Sequence, residues 1–354
     1  MKRHVLFPIL LLIIAISFAR QIGNFLTTSA NTFYPLPERA RYVTPVGNDR
    51  VYFVKENKLH FNDCRSSYEV EMDVAFGQIV GATEDYLYFS ATSKTFGEEL
   101  YRHSANQIKF VKDLTAGKTG TVFQYNASAT LENALFFVAE DTRYGKELWV
   151  TDGQQTRRIT DIAPGKANTL PGSLTAVEGE IYFSASDGNS RELYKTDGYQ
   201  LTKIQNHDNS GYHYVRPASM ELVKYSGDIY FTASDSTGDN EIWKFDGEVV
   251  SKAIEINTHG SSEPEELTVF KDKLLFRADH PTKGIELFEY DGNDVQLLSA
   301  KNTAFDYTKS QVFIVSSNYI YFKAYSDSNK EELWSYDGKE IAMITQFPTE
   351  LEIE

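Results

Sequence analysis

Short apolar runs rich in Phe, Tyr, Val and Ile recur down this chain, separated by clusters of Gly, Asp, Asn and Ser. Val51-Tyr52-Phe53 and Ile181-Tyr182-Phe183-Ser184-Ala185 are typical. Runs this short, bounded by turn formers, predict strands. Residues 173 to 205 show one whole unit: strands at 173–177, 180–185, 192–196 and 200–205, joined at Glu178-Gly179, at 186–191 and at Asp197-Gly198. The first-to-second and third-to-fourth links are expected to be two-residue hairpins, with Asn, Asp or Gly supplying the positive φ. The unit is then a four-stranded antiparallel meander. Neighbouring residues of a strand point to opposite faces, so Tyr182 and Phe183 leave both faces of such a sheet apolar and in need of cover.

The unit repeats. Glu, then Leu or Ile, then an aromatic begins at Glu99, Glu147, Glu192, Glu241, Glu286 and Glu332, at intervals of 48, 45, 49, 45 and 46 residues. A seventh, degenerate copy stands in front, where Lys58-Leu59-His60 replaces the motif and Cys64 takes the place of the turn glycine. A period in the forties with several strands per unit points to a propeller rather than a helical solenoid. Radial packing covers both faces of every sheet and leaves only short edges. The expected fold is therefore all-β: a seven-bladed β-propeller of four-stranded antiparallel blades over residues 40–347. It would be preceded by a signal peptide or uncleaved anchor (1–19) and a linker (20–39), and followed by a C-terminal tail (348–354).

Residues 147 to 153, Glu-Leu-Trp-Val-Thr-Asp-Gly, resemble the repeat of bacterial exported proteins that carry ELWxxDGT motifs, with Gln154 where that family has Thr. Val111-Lys112-Asp113-Leu114 and residues 160–165 are similar to the family's inter-blade segment. The resemblance spans roughly residues 40 to 347 and implies the same propeller, while implying almost nothing about activity. Two copies depart from it. The first lacks the Glu and the turn Gly, and the second has Ser104-Ala105 in place of Asp-Gly. Both departures are expected to reflect a position beside the closure point, where terminal repeats are commonly atypical.

Six equivalent glutamates cannot all be the general acid of one active site, so the motif Glu is expected to be structural, accepting N–H bonds across a blade contact. The aromatic that follows (Tyr101, Trp149, Tyr194, Trp243, Phe288 or Trp334) is expected to fill the space between blades; a sugar-stacking platform is the alternative. Asp152, Asp197, Asp246, Asp291 and Asp337 precede a glycine and carry the hairpin.

Formal charge is −15 and no element concentrates Lys and Arg, which argues against a nucleic-acid partner. The start of the chain reads as an export signal: basic Lys2, Arg3 and His4, an apolar run from Val5 to Phe18, and a small-x-small site ending at Ala19. Any membrane association is expected only through this segment, if it is uncleaved. A single cysteine, Cys64, permits no intrachain disulfide, so stability must come from packing.

Candidate chemistry is expected where second-to-third and fourth-to-first links emerge together. Asp141, Asp187, Asp235, Asp279 and Asp327 recur in the former, as Asx turns or as a calcium-binding set; no cofactor is otherwise implied. The irregular link around His207, Asp208, His213 and Tyr214, with Tyr144, His259 and His280 as expected neighbours, is the candidate binding surface. A His pair with Asp could act as acid and base or ligate a transition metal; a solvated polar loop is the plainer alternative. The preferred reading is an exported, non-catalytic recognition or scaffold propeller that binds an extracellular or envelope protein or glycan. The alternatives are a polysaccharide hydrolase or lyase using His207, Asp208 and His213, and a structural part of an envelope assembly.

Overall fold

The computed structural model describes residues 41–47, 50–62, 66–104, 107–163, 165–166, 169–189, 191–204, 222–235, 237–298, 313–315, 318–325 and 331–346. All elements among them are strands, arranged as seven four-stranded antiparallel sheets in simple chain order. The first sheet is β1 (Arg41–Val46), β2 (Arg50–Lys55), β3 (Lys58–Asn62) and β4 (Ser67–Glu69). The second is β5 (Ala75–Ala82), β6 (Leu87–Ser93), β7 (Gly97–Ser104) and β8 (Gln107–Lys112). The third is β9 (Val122–Leu131), β10 (Ala134–Asp141), β11 (Gly145–Thr151) and β12 (Thr156–Arg158), and the fourth β13 (Gly172–Val177), β14 (Glu180–Ser186), β15 (Arg191–Thr196) and β16 (Leu201–Lys203). These four form one compact unit.

The second unit holds three sheets. They are β17 (Val223–Tyr225), β18 (Asp228–Ser234), β19 (Asn240–Phe245) and β20 (Val250–Ile254); β21 (Glu265–Phe270), β22 (Lys273–His280), β23 (Gly284–Tyr290) and β24 (Val295–Leu297); then β25 (Ile314–Val315), β26 (Ile320–Tyr325), β27 (Glu331–Tyr336) and β28 (Ile341–Gln346). The leader, the linker, the tail, Cys64, Asp327 and the stretch holding His207, Asp208, His213 and Tyr214 lie outside the described residues.

Within each sheet the motif sets the register. The aromatic on the third strand sits directly opposite a phenylalanine on the second in every case: Phe53 and His60, Phe89 and Tyr101, Phe137 and Trp149, Phe183 and Tyr194, Phe231 and Trp243, Phe276 and Phe288, Phe322 and Trp334. His60 thus fills the motif position of the degenerate copy, stacked on Phe53 at 5.3 Å. Directly opposed aromatics are the strongest cross-strand pairs a sheet can make, which explains why this pairing survives where the rest of the motif does not.

Alternation then divides the side chains between two interfaces. In the third sheet Leu135, Phe137 and Trp149 pack with Val80, Tyr88 and Leu100 of the second. Their immediate neighbours Phe136, Leu148 and Val150 pack with Ile181, Phe183 and Tyr194 of the fourth. The same rule holds in the second unit, where Phe288 faces the fifth sheet and Leu287 the seventh. In each Glu-Leu-aromatic copy whose contacts are seen, the aromatic faces the preceding sheet; burying such a ring stabilises by about 2 kcal/mol or more. First strands of consecutive sheets lie together, β1 by β5, β5 by β9 and β9 by β13. Tyr42 of β1 even reaches Tyr125 of β9, edge to face at 5.5 Å, so in this unit the first strands are the converging edge.

The hairpins correct one expectation. In the third to sixth sheets the first-to-second links do have two residues, both at positive φ in Glu178-Gly179, Ser226-Gly227 and Lys271-Asp272, while in the first and second sheets they are longer, 47–49 and 83–86. The third-to-fourth links have four residues, 152–155, 197–200, 246–249, 291–294 and 337–340, and their aspartates are not at positive φ. Each Asp instead accepts hydrogen bonds through Oδ1 from the N–H groups two and three residues on, at 2.7 Å both in Asp152 and in Asp197. Asp246, Asp291 and Asp337 do the same. These backbone donors favour the ionised form and hold all five carboxyls below their usual pKa.

Candidate functional site

The two ends of the repeat motif are consumed by the scaffold. Glu99, Glu147 and Glu241 are fully buried, and each grips the segment that leaves its own sheet for the next. Glu99 accepts bonds from the N–H of Leu114 (2.9 Å) and Thr115 (3.3 Å) and from the Thr121 hydroxyl (2.9 Å). Glu147 takes the hydroxyls of Thr160 and Thr169, the latter at 2.8 Å. Glu241 takes Ile256 N–H (3.2 Å) and both N–H and hydroxyl of Ser262 (3.1 and 2.5 Å). Burial outweighs these donors and pushes all three pKa values up to about 7. Glu192 makes an ion pair with Lys203 at 3.2 Å, and Glu286 is buried; the side chain of Glu332 is outside the description. Trp149 and Trp243 donate their indole N–H to Ala139 and Ala233 carbonyls, at 3.2 and 2.7 Å, and Trp334 is buried beside Phe322.

The turn end docks backward on the preceding sheet. Gly153, at φ 84°, lies where an added Cβ would sit 2.5 Å from Arg102 Nη1 and 2.9 Å from the Tyr88 hydroxyl of the second sheet. In the second unit Lys271 donates to the Asp337 carbonyl at 2.7 Å. At these two interfaces the turn therefore closes on the sheet before it.

The interface between the first and second sheets has its own packed core, with Tyr52 and Leu59 against Leu87, Phe89 and Tyr101, but a cleft opens beside its third and fourth strands. The cleft, of about 500 Å³, is lined by Phe61, Tyr68, Glu69, Val70, Glu71, Asp73, His103 and Ile108. The opening coincides with the irregular copies of the motif. In the third sheet the residue before Asp-Gly is Thr151, whose hydroxyl takes the Gly153 N–H at 3.1 Å. In the second sheet that position is His103 and the Asp-Gly pair is Ser104-Ala105. Tyr52 of the first sheet, placed like Tyr88 of the second, meets His103 Nδ1 at 2.6 Å. His103 is 3% exposed. Desolvation, and secondly the Arg50 charge, lower its pKa to about 4, so the ring is neutral at neutral pH. No described residue hydrogen-bonds its Nε2 edge.

The aromatic wall is Phe61 and Tyr68, stacked at 5.1 Å, with Tyr68 44% exposed. Glu71 and Asp73, exposed in the segment between β4 and β5, also line the cleft, and Glu69 is tied to Lys58 at 2.7 Å. An apolar floor, a stacking face and a few converging polar groups are the usual constitution of a small-ligand site.

The residues singled out in the loops are engaged locally. Tyr144 lies under Arg158, whose guanidinium carbon is 3.4 Å from the ring centroid, and its N–H goes to Asp141 at 2.9 Å. His259 Nδ1 pairs with the Thr258 hydroxyl at 3.0 Å; His280 Nδ1 takes the Thr282 N–H at 3.2 Å and its ring stacks near Phe288. Asp141, Asp187 and Asp235 each spend Oδ1 on backbone N–H groups of their own loop, and the Asp279 N–H goes to the Ser262 carbonyl. The carboxylates that do converge among the described residues are Asp239, Glu241 and Glu255, within 4.8 Å of one another. Lys252 Nζ already stands 2.7 Å from both Asp239 and Glu255 there, supplying the cation.

Four-stranded antiparallel meanders in chain order, sharing apolar interfaces and converging first strands, are blades of the β-propeller class. The chain is similar to a prolyl endopeptidase, with a TM-score of 0.52 at 9% identity, over 87% of this chain and 49% of that one, so it spans about half that enzyme's length. It is also similar to the β-propeller domain of the Trilobed protease from Pyrococcus furiosus (TM-score 0.44, 12% identity, 86% of this chain and 98% of that chain). A third is the BP39L lectin from Burkholderia pseudomallei (TM-score 0.45, 9% identity, 84% and 95%). At these identities the likeness is one of fold. No protein-family model and no curated protein matches the chain.

Proposed function

We propose that this protein is an exported, non-catalytic recognition propeller, a ring of seven blades, that binds an envelope or extracellular glycan in the cleft between its first two sheets. The observation that carries this reading is the coincidence of the cleft with the copies in which the repeat motif is replaced. Where the motif is intact, its residues stitch neighbouring sheets; where it is not, a stacking wall, exposed carboxylates and a neutral buried imidazole face open space. Departures from a local rule with no stabilising return are the expected mark of a functional site.

A recognition role is favoured over catalysis by where the perturbed acids lie. Carboxylates tuned toward neutrality suit a general acid. Here Glu99, Glu147 and Glu241 have that property and are enclosed by hydrogen bonds to the links they hold. The exported address rests on the basic and apolar opening of the chain, and membership of the ELWxxDGT-repeat proteins on the recurrence of the motif.

The test is a glycan array probed with the full chain and with Tyr68→Ala. Specific signals that vanish in the variant support the cleft; signals unchanged by it, or lost instead on His259→Ala or His280→Ala, refute it.

A further inference from the structure

We propose that the cleft between the first two sheets selects a pyranose that carries a free amine, discriminating against N-acetylated and acidic sugars of the same shape. This rests on the recognition reading above and narrows it to a ligand chemistry. Three features of the cleft act together. The stacked pair Phe61 and Tyr68 presents a flat apolar face of the size of a sugar ring's C–H face, and the exposed Tyr68 leaves room to reach it. Glu71 and Asp73 line the same cleft as exposed acceptors. A carboxylate only accepts, so it suits hydroxyls and, with the added strength of charge, an ammonium.

His103 supplies the third element. Its Nδ1 is engaged by Tyr52, and its Nε2 edge is unpartnered in a side chain that is 3% exposed. A ligand hydroxyl, able both to donate and to accept, bonds this nitrogen in either tautomer. A bare aliphatic ammonium could not accept from it. The lining holds Glu69, Glu71 and Asp73 but no Lys or Arg; Lys58 beside it is held by Glu69, and the Arg50 charge stands near the His103 side. An ammonium therefore meets the site's field, and a uronate opposes both it and the net charge of −15.

The experiment is calorimetric titration of the full chain with a glucosamine oligomer, the matching N-acetylglucosamine oligomer, a galacturonate oligomer and spermidine. It is repeated on Tyr68→Ala and on the pair Glu71→Gln with Asp73→Asn. The glucosamine oligomer is expected to bind about tenfold or more tightly than its acetylated counterpart, with no measurable galacturonate binding. Tyr68→Ala should weaken it about tenfold, and the double variant should erase the preference for the free amine. Equal or tighter binding of the acetylated or acidic oligomer, still lost in Tyr68→Ala, overturns the amine selection and leaves the cleft as the glycan site. Spermidine binding as tightly as glucosamine with Tyr68→Ala without effect overturns the proposal in favour of charge alone. Sugar binding that no cleft variant alters, or no binding of any probe, overturns the cleft itself.

Discussion

Two interfaces in the first unit each have a packed apolar core and differ where the third-to-fourth turn meets the preceding sheet. Between the second and third sheets, the Asp152-Gly153 turn closes on Arg102 and Tyr88 so tightly that a methyl group has no space. Between the first and second, Tyr52 occupies the place of Tyr88, but it meets His103 of a copy that lacks Asp-Gly, and a cleft of about 500 Å³ stands open. The repeat is thus a rule for closing interfaces, and relaxing it in two adjacent copies is a way to make a site without disturbing the pairs that hold each sheet.

Breaking the closed interface should have the largest effect. Gly153→Ala forces a Cβ at positive φ against the Arg102 guanidinium and Tyr88 hydroxyl, and chemical denaturation should show a loss of about 3 kcal/mol. Gly247→Ala, at φ 101° with nothing within 4 Å, carries only the backbone cost of about 1 kcal/mol. Equal losses at the two positions would mean that the turn does not dock on the preceding sheet.

Next in size is Glu147→Ala, which leaves the Thr160 and Thr169 hydroxyls beside an empty buried space and should cost about 2 kcal/mol. The same group predicts a pH dependence. Its folded pKa, near 7, is above its ordinary value of 4.5, so the stability it contributes is full below about 4.5 and is lost as pH rises through 7. Glu99 and Glu241 act in the same sense. Thermal unfolding should therefore show the chain losing stability between pH 5 and pH 8, and Glu147→Gln should flatten part of that slope. The turn aspartates act in the opposite sense: their folded pKa values are lowered, so their contribution is lost only as the medium becomes strongly acidic.

The smallest effect on stability is expected at the open interface. Tyr68 is 44% exposed and opposes no motif residue, so Tyr68→Ala should change unfolding free energy by about 0.5 kcal/mol or less while weakening ligand binding about tenfold. A large destabilisation there would make the aromatic wall part of the core.

Much of the fold was legible because the repeat is periodic. The four strands of residues 173–205 are readable from one unit, and the aligned copies carry them to all seven sheets, including the degenerate one; that Phe183 stands opposite Tyr194 and Phe53 opposite His60 comes from the structure. The third-to-fourth turns were misjudged because Asp before Gly suggests a two-residue hairpin, whereas here its side chain folds a longer turn. The cleft was legible only in part. Lys58-Leu59-His60 and Ser104-Ala105 are visible as departures, and the sequence alone ascribes them to the closure point. The cleft residues come from β3, β4, the link after it, β7 and β8, and nothing in their one-dimensional spacing announces that they meet. The recurring loop aspartates read as Asx turns or as a ligand set, because a periodic sequence repeats its turn chemistry as faithfully as its core; Asp141 and Asp235 cap their own loops, as the Asx reading expects.

The most direct measurement is hydrogen exchange of the full chain with and without the glycan that the array shows to bind best. The account predicts that new protection is confined to residues 66–73 and 103–108, beside the cleft. Protection concentrated instead in the loops at 141–144, 257–262 and 280–283, with the first two sheets unchanged, would contradict it.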